Sequence, residues 1–342
     1  MIQLNEAIIG KVICHRICND ELKSIISNDT IDITNTDDNK NISEILLKPF
    51  QNSEMSYEFY HEIDIDLNVI YKISQDIYNG EDFVCKSQDI FSHLAKSSRF
   101  PNIKDGDLLI ATFEDIIVEN RYCEAISICK IEDKVNFIEP NYQNLQKTRV
   151  CKGISANKID KACLIIFDQD TTIVYTTDKN RTDTQYWIED FLSIRPKHNE
   201  YYNTKNMLTA TRVFVTKEMP KVFSDVSKVD QADILNKSVS FFKNNDTFAI
   251  DEFTNDVMPE PELKEQFNEF INSYSEREGV ELVDNFEIST PAVKKQARVF
   301  KNVIKLDKNF HIYVHGDNQY IKKGYDEATG MHYYQLFFKE ER

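Results

Sequence analysis

The chain has 342 residues, 29% of them charged and 41% hydrophobic, with a formal net charge of -16. That length buries a full core and leaves room for two domains, and the composition is that of an ordinary soluble globular protein. The strong acidity argues against general polyanion coating, since long-range steering would repel DNA, so any nucleic-acid contact has to be a local patch.

No apolar run approaches the ~18 residues that a membrane span needs. The opening MIQLNEAIIGKVICHRIC lacks a basic n-region, and Asn5, Glu6 and Lys11 interrupt its apolar residues, so it does not read as a secretory signal. Seven cysteines, an odd number, form no disulfide framework and point to a reducing cytoplasm. Charge is uneven along the chain. Residues 1–100 carry 9 basic and 17 acidic groups, whereas residues 301–342 carry 7 and 6.

In chain order, Ile8–Cys18 alternates as a strand. Asn28–Asn41 is polar and turn-rich, and is expected to be a loop with a short strand at Ile31–Ile33. Ser43–Phe50 and Tyr57–His61 are too short to assign. Leu67–Tyr78 has helical spacing and stops at Gly80, and Ser87–Lys96 is a second helix with Ile90, Phe91 and Leu94 facing inward. Then follow Asp107–Phe113, Asp115–Val118, Cys123–Ile131, Lys134–Ile138, Val150–Ile154, Lys161–Asp168 and Thr171–Thr176, β-rich runs separated by turn signals. They predict about six strands in one antiparallel sheet with the two helices on one face. From Thr182 the period changes to 3.6. Helices are expected over Thr184–Ile194, Thr204–Glu218, Val229–Asn244 and Glu260–Ser275, the last closed by Gly279. The expected division is 1–180 for the sheet domain and 181–342 for a helical region with a C-terminal β-meander. The fold class is α+β.

The C-terminal stretch Ser289–Phe338 is the long region where positive charge gathers. STPAVKKQARVFKNVIKL predicts a helix with Thr290 as N-cap and Pro291 at the first helical position. Val293, Ala297, Phe300 and Ile304 recur at i, i+4, i+7, i+11 as an apolar stripe, and Lys294, Lys295, Arg298, Lys301 and Lys305 share the neighbouring arc. Such a helix docks on a core through one face and offers the other to an anion, although a basic arc is also what a solvated helix face carries. A three-stranded meander is expected after it. There His311, Tyr313 and His315 share a face near the turn signal Gly316-Asp317-Asn318.

Other candidates are weaker. Cys14-His15-Arg16-Ile17-Cys18 suggests half a metal site, but a strand turns His15 away from both thiols and no second pair has zinc-like spacing. Asp64 and Asp66, alternating with Ile63 and Ile65, suggest paired carboxylates, or simply a half-exposed strand. The phosphate-loop motifs, GxSxG and HExxH are absent, so no cofactor, no metal and no well-marked enzyme is expected.

Four stretches carry a resemblance: DGDLLIATFEDIIVENRYCEAISICKI (Asp105–Ile131), SANKIDKACLIIFD (Ser155–Asp168), FFKNNDTFAIDEFTNDVM (Phe241–Met258) and NFHIYVHGDNQYIKKGYDEATGMHYYQLFF (Asn309–Phe338). In order and spacing the chain resembles the bacterial nucleoid-associated protein family of about this length, from roughly residue 5 to residue 338. The resemblance implies a cytoplasmic, nucleoid-localised, non-enzymatic protein that meets DNA directly or through a partner, with a role in chromosome organisation or topoisomerase action. It transfers no single functional residue. Three readings follow. In the first, DNA is contacted by Lys294, Lys295, Arg298, Lys301 and Lys305, with Lys322 and Lys323 of the meander adding to them. In the second, an acidic surface recruits a DNA-handling protein such as a topoisomerase. In the third, an unrecognised enzyme uses Asp64 and Asp66. A homodimer fits the first, because duplication strengthens a small patch through avidity.

Overall fold

The computed structural model describes residues 2–98, 104–143, 147–169, 171–179, 185–223, 226–300, 302–306, 310–314 and 320–340. The chain divides into two units, Met1–Lys197 and His198–Arg342, and both mix helix with antiparallel strand, as the α+β reading expects.

In chain order the first unit contains β1 (Ile2–Gln3), β2 (Ile8–Ile17), α1 (Thr36–Leu47), β3 (Tyr57–Phe59), α2 (Val69–Tyr78) and α3 (Phe83–Ser97). It continues with β4 (Gly106–Val118), β5 (Arg121–Ile131), β6 (Val135–Glu139), β7 (Arg149–Gly153), β8 (Lys161–Asp168) and β9 (Thr171–Asp178), then a π-helical turn at Tyr186–Leu192 and β10 (Ile194–Pro196). Eight of these strands form one sheet in the order β1-β4-β5-β8-β9-β3-β10, with β2 also paired to β4. The two runs expected at Asp107–Phe113 and Asp115–Val118 are one strand, β4. A bulge interrupts it between Phe113 and Ile116, with Asp115 in the left-handed region at φ 57°. Glu119 and Asn120, both at positive φ, make the two-residue turn into β5.

The sheet is covered on both faces, not one. Leu108, Ile110, Ile126, Ile128, Cys163 and Ile165 meet α2, α3, Trp187 and Phe191. Leu109, Ala111, Cys129, Leu164 and Ile166 meet Leu46 and Leu47 of α1, and Phe50. Every residue of β8 is buried, the signature of a central strand with two covered faces. Helix α1 occupies part of the segment expected to be a loop, and Ile31–Ile33 forms no strand. The Asp and Asn residues that suggested a loop start the helix instead. Asn35 accepts from the Asp37 N–H, and Asp37 and Asp38 lie in the first turn, where the helix dipole favours them.

The second unit contains α4 (Glu200–Val213), a π-helical turn (Phe214–Glu218), α5 (Met219–Val222), α6 (Lys228–Asn244), β11 (Thr247–Ala249), α7 (Ile250–Val257), α8 (Pro261–Glu278), β12 (Asn285–Glu287) and α9 (Thr290–Ala297). The strands β13 (Asn302–Leu306), β14 (Phe310–Val314), β15 (Ile321–Asp326) and β16 (Met331–Leu336) complete it. Its core is an aromatic cluster of Phe214, Phe241, Phe242, Phe248, Phe253 and Phe267. A capping box between Ser227 and Asp230 starts α6, and Gly279 at φ 63° ends α8.

The C-terminal elements differ from expectation in extent. The N-cap is Ser289, and the helix stops at Ala297, short of Lys305. The stripe that continued to Ile304 passes into β13, where the β-branched Val303 and Ile304 lie opposite Tyr313 and Ile312 of β14. β13–β14 and β15–β16 form two separate antiparallel pairs, not one three-stranded meander.

Candidate nucleic-acid interface

Helix α9 buries Ala292 and Val293 and exposes Lys294, Lys295 and Arg298. Lys294 and Lys295 lie in its last turn, where the helix dipole favours cations, and Arg298 is the C-cap one turn on. These three of the expected residues therefore share an exposed edge. Lys301 and His315 lie outside the described residues. Lys305 belongs to β13, opposite His311, and is not on the helix.

Lys322 and Lys323 are exposed neighbours on β15, so their side chains project from opposite faces of the β15–β16 pair. Lys323 shares a face with Tyr334, which packs near Val229 of α6. On the other face, the ammonium of Lys322 lies 5.6 Å from the Phe337 ring centroid.

The sequence reading missed Lys205. It comes from α4, which packs on α9, and is half-buried. Burial, and then the like charge of Lys295, hold its ammonium below the usual lysine range. Its spacing in sequence from α9 hid this meeting. A second basic stretch was also missed. Residues 134–153 carry Lys134, Lys147, Arg149 and Lys152 against Glu139 alone, and they build the ribbon of β6 and β7. These strands pair with each other instead of joining the large sheet.

The other candidates resolve into structural roles. His15 is buried. Its Nδ1 accepts from the Ser27 N–H at 3.0 Å, its Nε2 faces the Ser87 hydroxyl at 3.1 Å, and burial lowers its pKa. Cys14 lies on the opposite side of β2, its thiol pushed up to about 11 by burial. Asp64 is not on a strand. It is the N-cap of a short 3₁₀ turn and accepts from the Asp66 N–H at 3.0 Å. Among the described residues no group of His, Cys, Asp and Glu could hold a metal ion, and no helix is long and apolar enough to cross a membrane.

The second unit also has a groove of about 460 Å³ between α6 and the start of α8. Phe223, Ile234 and Leu263 contribute apolar surface, and Asp230, Glu260 and Glu262 contribute acidic groups, whereas Asp233 is paired with Lys237 of the same lining at 2.8 Å.

Fold and charge together define a mixed α+β protein, acidic overall. A family model described as nucleoid-associated protein YejK matches residues 13–331, and the chain belongs to that family. The resemblance carried by the four stretches is thus shown over nearly the whole chain. No curated protein and no solved structure matches significantly.

Proposed function

We propose that this nucleoid-associated protein contacts DNA through the exposed edge of α9, with Lys294, Lys295 and Arg298 as phosphate contacts and Lys205 beside them. The observation that carries the reading is the exposed edge of α9, where Lys294, Lys295 and Arg298 gather at the C-terminal end of the helix while Ala292 and Val293 are buried. An anionic charge placed against these three exposed cations is favoured. A phosphate backbone supplies that charge, and a small patch suits a chain whose overall field repels DNA.

The test is fluorescence anisotropy on a labelled duplex of about 30 base pairs, using wild type and a Lys294→Glu/Lys295→Glu/Arg298→Glu variant. Four phosphate contacts give log K a slope near -3.6 against log salt, by the ~0.9 per contact of duplex DNA. The variant is expected to lose nearly all affinity. A variant that binds like wild type would remove the site from α9, and a wild type that binds no DNA at low salt would sink direct contact. Sedimentation of the free chain would test the homodimer.

One feature favours a second reading, in which a basic DNA-handling protein brings the chain to the nucleoid. The groove beside α6 offers apolar surface rimmed by carboxylates, complementary to a cationic amphipathic helix. Salt-sensitive capture of a topoisomerase, lost in a Glu260→Lys/Glu262→Lys variant, would support it. Capture unchanged by that variant would oppose it.

A further inference from the structure

The β6–β7 ribbon stands apart from the large sheet of the first unit, its two strands pairing only with each other. Its register runs from Val135 opposite Gly153 to Glu139 opposite Arg149, a paired length of about 17 Å at ~3.4 Å per residue. One face presents Asn136, Ile138, Val150 and Lys152, all exposed, with Ile138 at 67% and Val150 at 74%. On the other face the Phe137 ring lies across Gly153, where a side chain would collide with it. A bare two-stranded ribbon is marginal in water, and contiguous exposed apolar side chains on it mark a contact surface.

We propose that this ribbon is a DNA-reading element that enters the major groove of duplex DNA. The inference rests on the DNA-contact reading above for its ligand, but not on α9. Three observations favour it. Lys147, Arg149 and Lys152 form no ion pair among the described residues, and even with Glu139 opposite Arg149 the ribbon carries net positive charge within an acidic chain. The major groove, ~12 Å wide, admits a two-stranded ribbon. The exposed face also carries the residue types that match base edges there: an amide for adenine, an ammonium for guanine, and aliphatic groups for the thymine methyl. Lys147 and Arg149 flank that face and reach phosphates, fixing its register. A second copy of the ribbon is a poorer occupant, because a two-fold contact would set the same three cations against each other.

The full chain tests this by anisotropy on duplexes that differ in sequence. Asn136→Ala/Lys152→Ala is expected to weaken binding roughly tenfold and to level the preference among duplexes. Lys147→Ala/Arg149→Ala is expected to make the salt slope shallower by about 1.8. Methyl green, which occupies the major groove, should compete, whereas netropsin, which occupies the minor groove, should not. Trp187 fluorescence verifies that the first unit of each ribbon variant is folded, and circular dichroism does so for the α9 variant. Ribbon variants that bind like wild type, or displacement by netropsin alone, would overturn the inference. So would a change in oligomeric state with DNA affinity intact. If only the α9 variant loses affinity, the ribbon inference fails and the α9 reading stands. If only the ribbon variants lose it, the converse holds. No binding by wild type removes both.

Discussion

Trp187, the chain's single tryptophan, donates from Nε1 to the Thr176 hydroxyl of β9 at 3.0 Å. Its ring is fully buried and lies 4.9 Å from that of Phe191, centroid to centroid. Tryptophan emission therefore reports on the unit Met1–Lys197. Trp187→Phe keeps most of the packing and removes one hydrogen bond, at a cost of about 1 kcal/mol. Trp187→Ala also leaves a cavity and costs roughly 3–5 kcal/mol. Urea titrations followed by circular dichroism check both values, and equal costs would contradict the packing described.

The large sheet was legible because its strands announce themselves twice, by β-branched alternation and by the turn at Glu119-Asn120. Helix α1 was not, because Asp37, Asp38 and Asn39 lower helix propensity in an interior yet favour a first turn. Period alone also misplaced the end of α9. Phe300 and Ile304 continue its spacing, but Phe300 is buried beyond the helix and Ile304 pairs in β13. At the candidate interface, Lys294, Lys295 and Arg298 could be read from a local arc. Lys205 could not, since only tertiary packing of α4 on α9 brings it near. The ribbon was counted into the sheet because alternation reports a strand and not its partner.

Stability should fall under mild acid because of His15. Its Nδ1 accepts a backbone N–H, so the neutral ring donates from Nε2 to Ser87, whose hydroxyl donates to the Val84 carbonyl at 2.6 Å. Burial lowers its pKa in the folded state, and burial likewise lowers that of His93. The unfolded histidines titrate near ~6.5 and take up protons first, so these groups favour folding above that pH and oppose it increasingly below. The urea midpoint should drop between about pH 7.5 and pH 5.5, and less so in His15→Gln, itself less stable by roughly 1–3 kcal/mol at neutral pH. An identical drop in that variant would assign the effect to other groups.

The Tyr186 ring lies between two buried lysines. Lys161 Nζ is 5.0 Å from its centroid and Lys130 Nζ is 5.6 Å away. Each lysine has its own carboxylate, Asp178 at 2.8 Å and Glu132 at 3.0 Å, and all four side chains are almost fully buried. Removing one partner strands a charge. Asp178→Ala should therefore cost about 3–5 kcal/mol, whereas Lys161→Met/Asp178→Leu should recover most of that loss. Thermal unfolding of the three proteins decides the matter, and a double variant no better than the single one would show that the pair is needed as a pair.

Gly153 gives the ribbon its shape. A Cβ there would come 2.8 Å from Phe137 Cε1, so Gly153→Val must displace the ring that braces β6 against β7. The ring belongs to an exposed ribbon outside the main core, so the expected effect is local. Amide hydrogen exchange should quicken over Val135–Glu139 and Arg149–Gly153 and stay unchanged in β4 and β5. Global stability should move by less than ~1 kcal/mol, as for surface changes away from a core. If β4 and β5 lose protection as well, the ribbon is coupled to the sheet and does not behave as a separate arm.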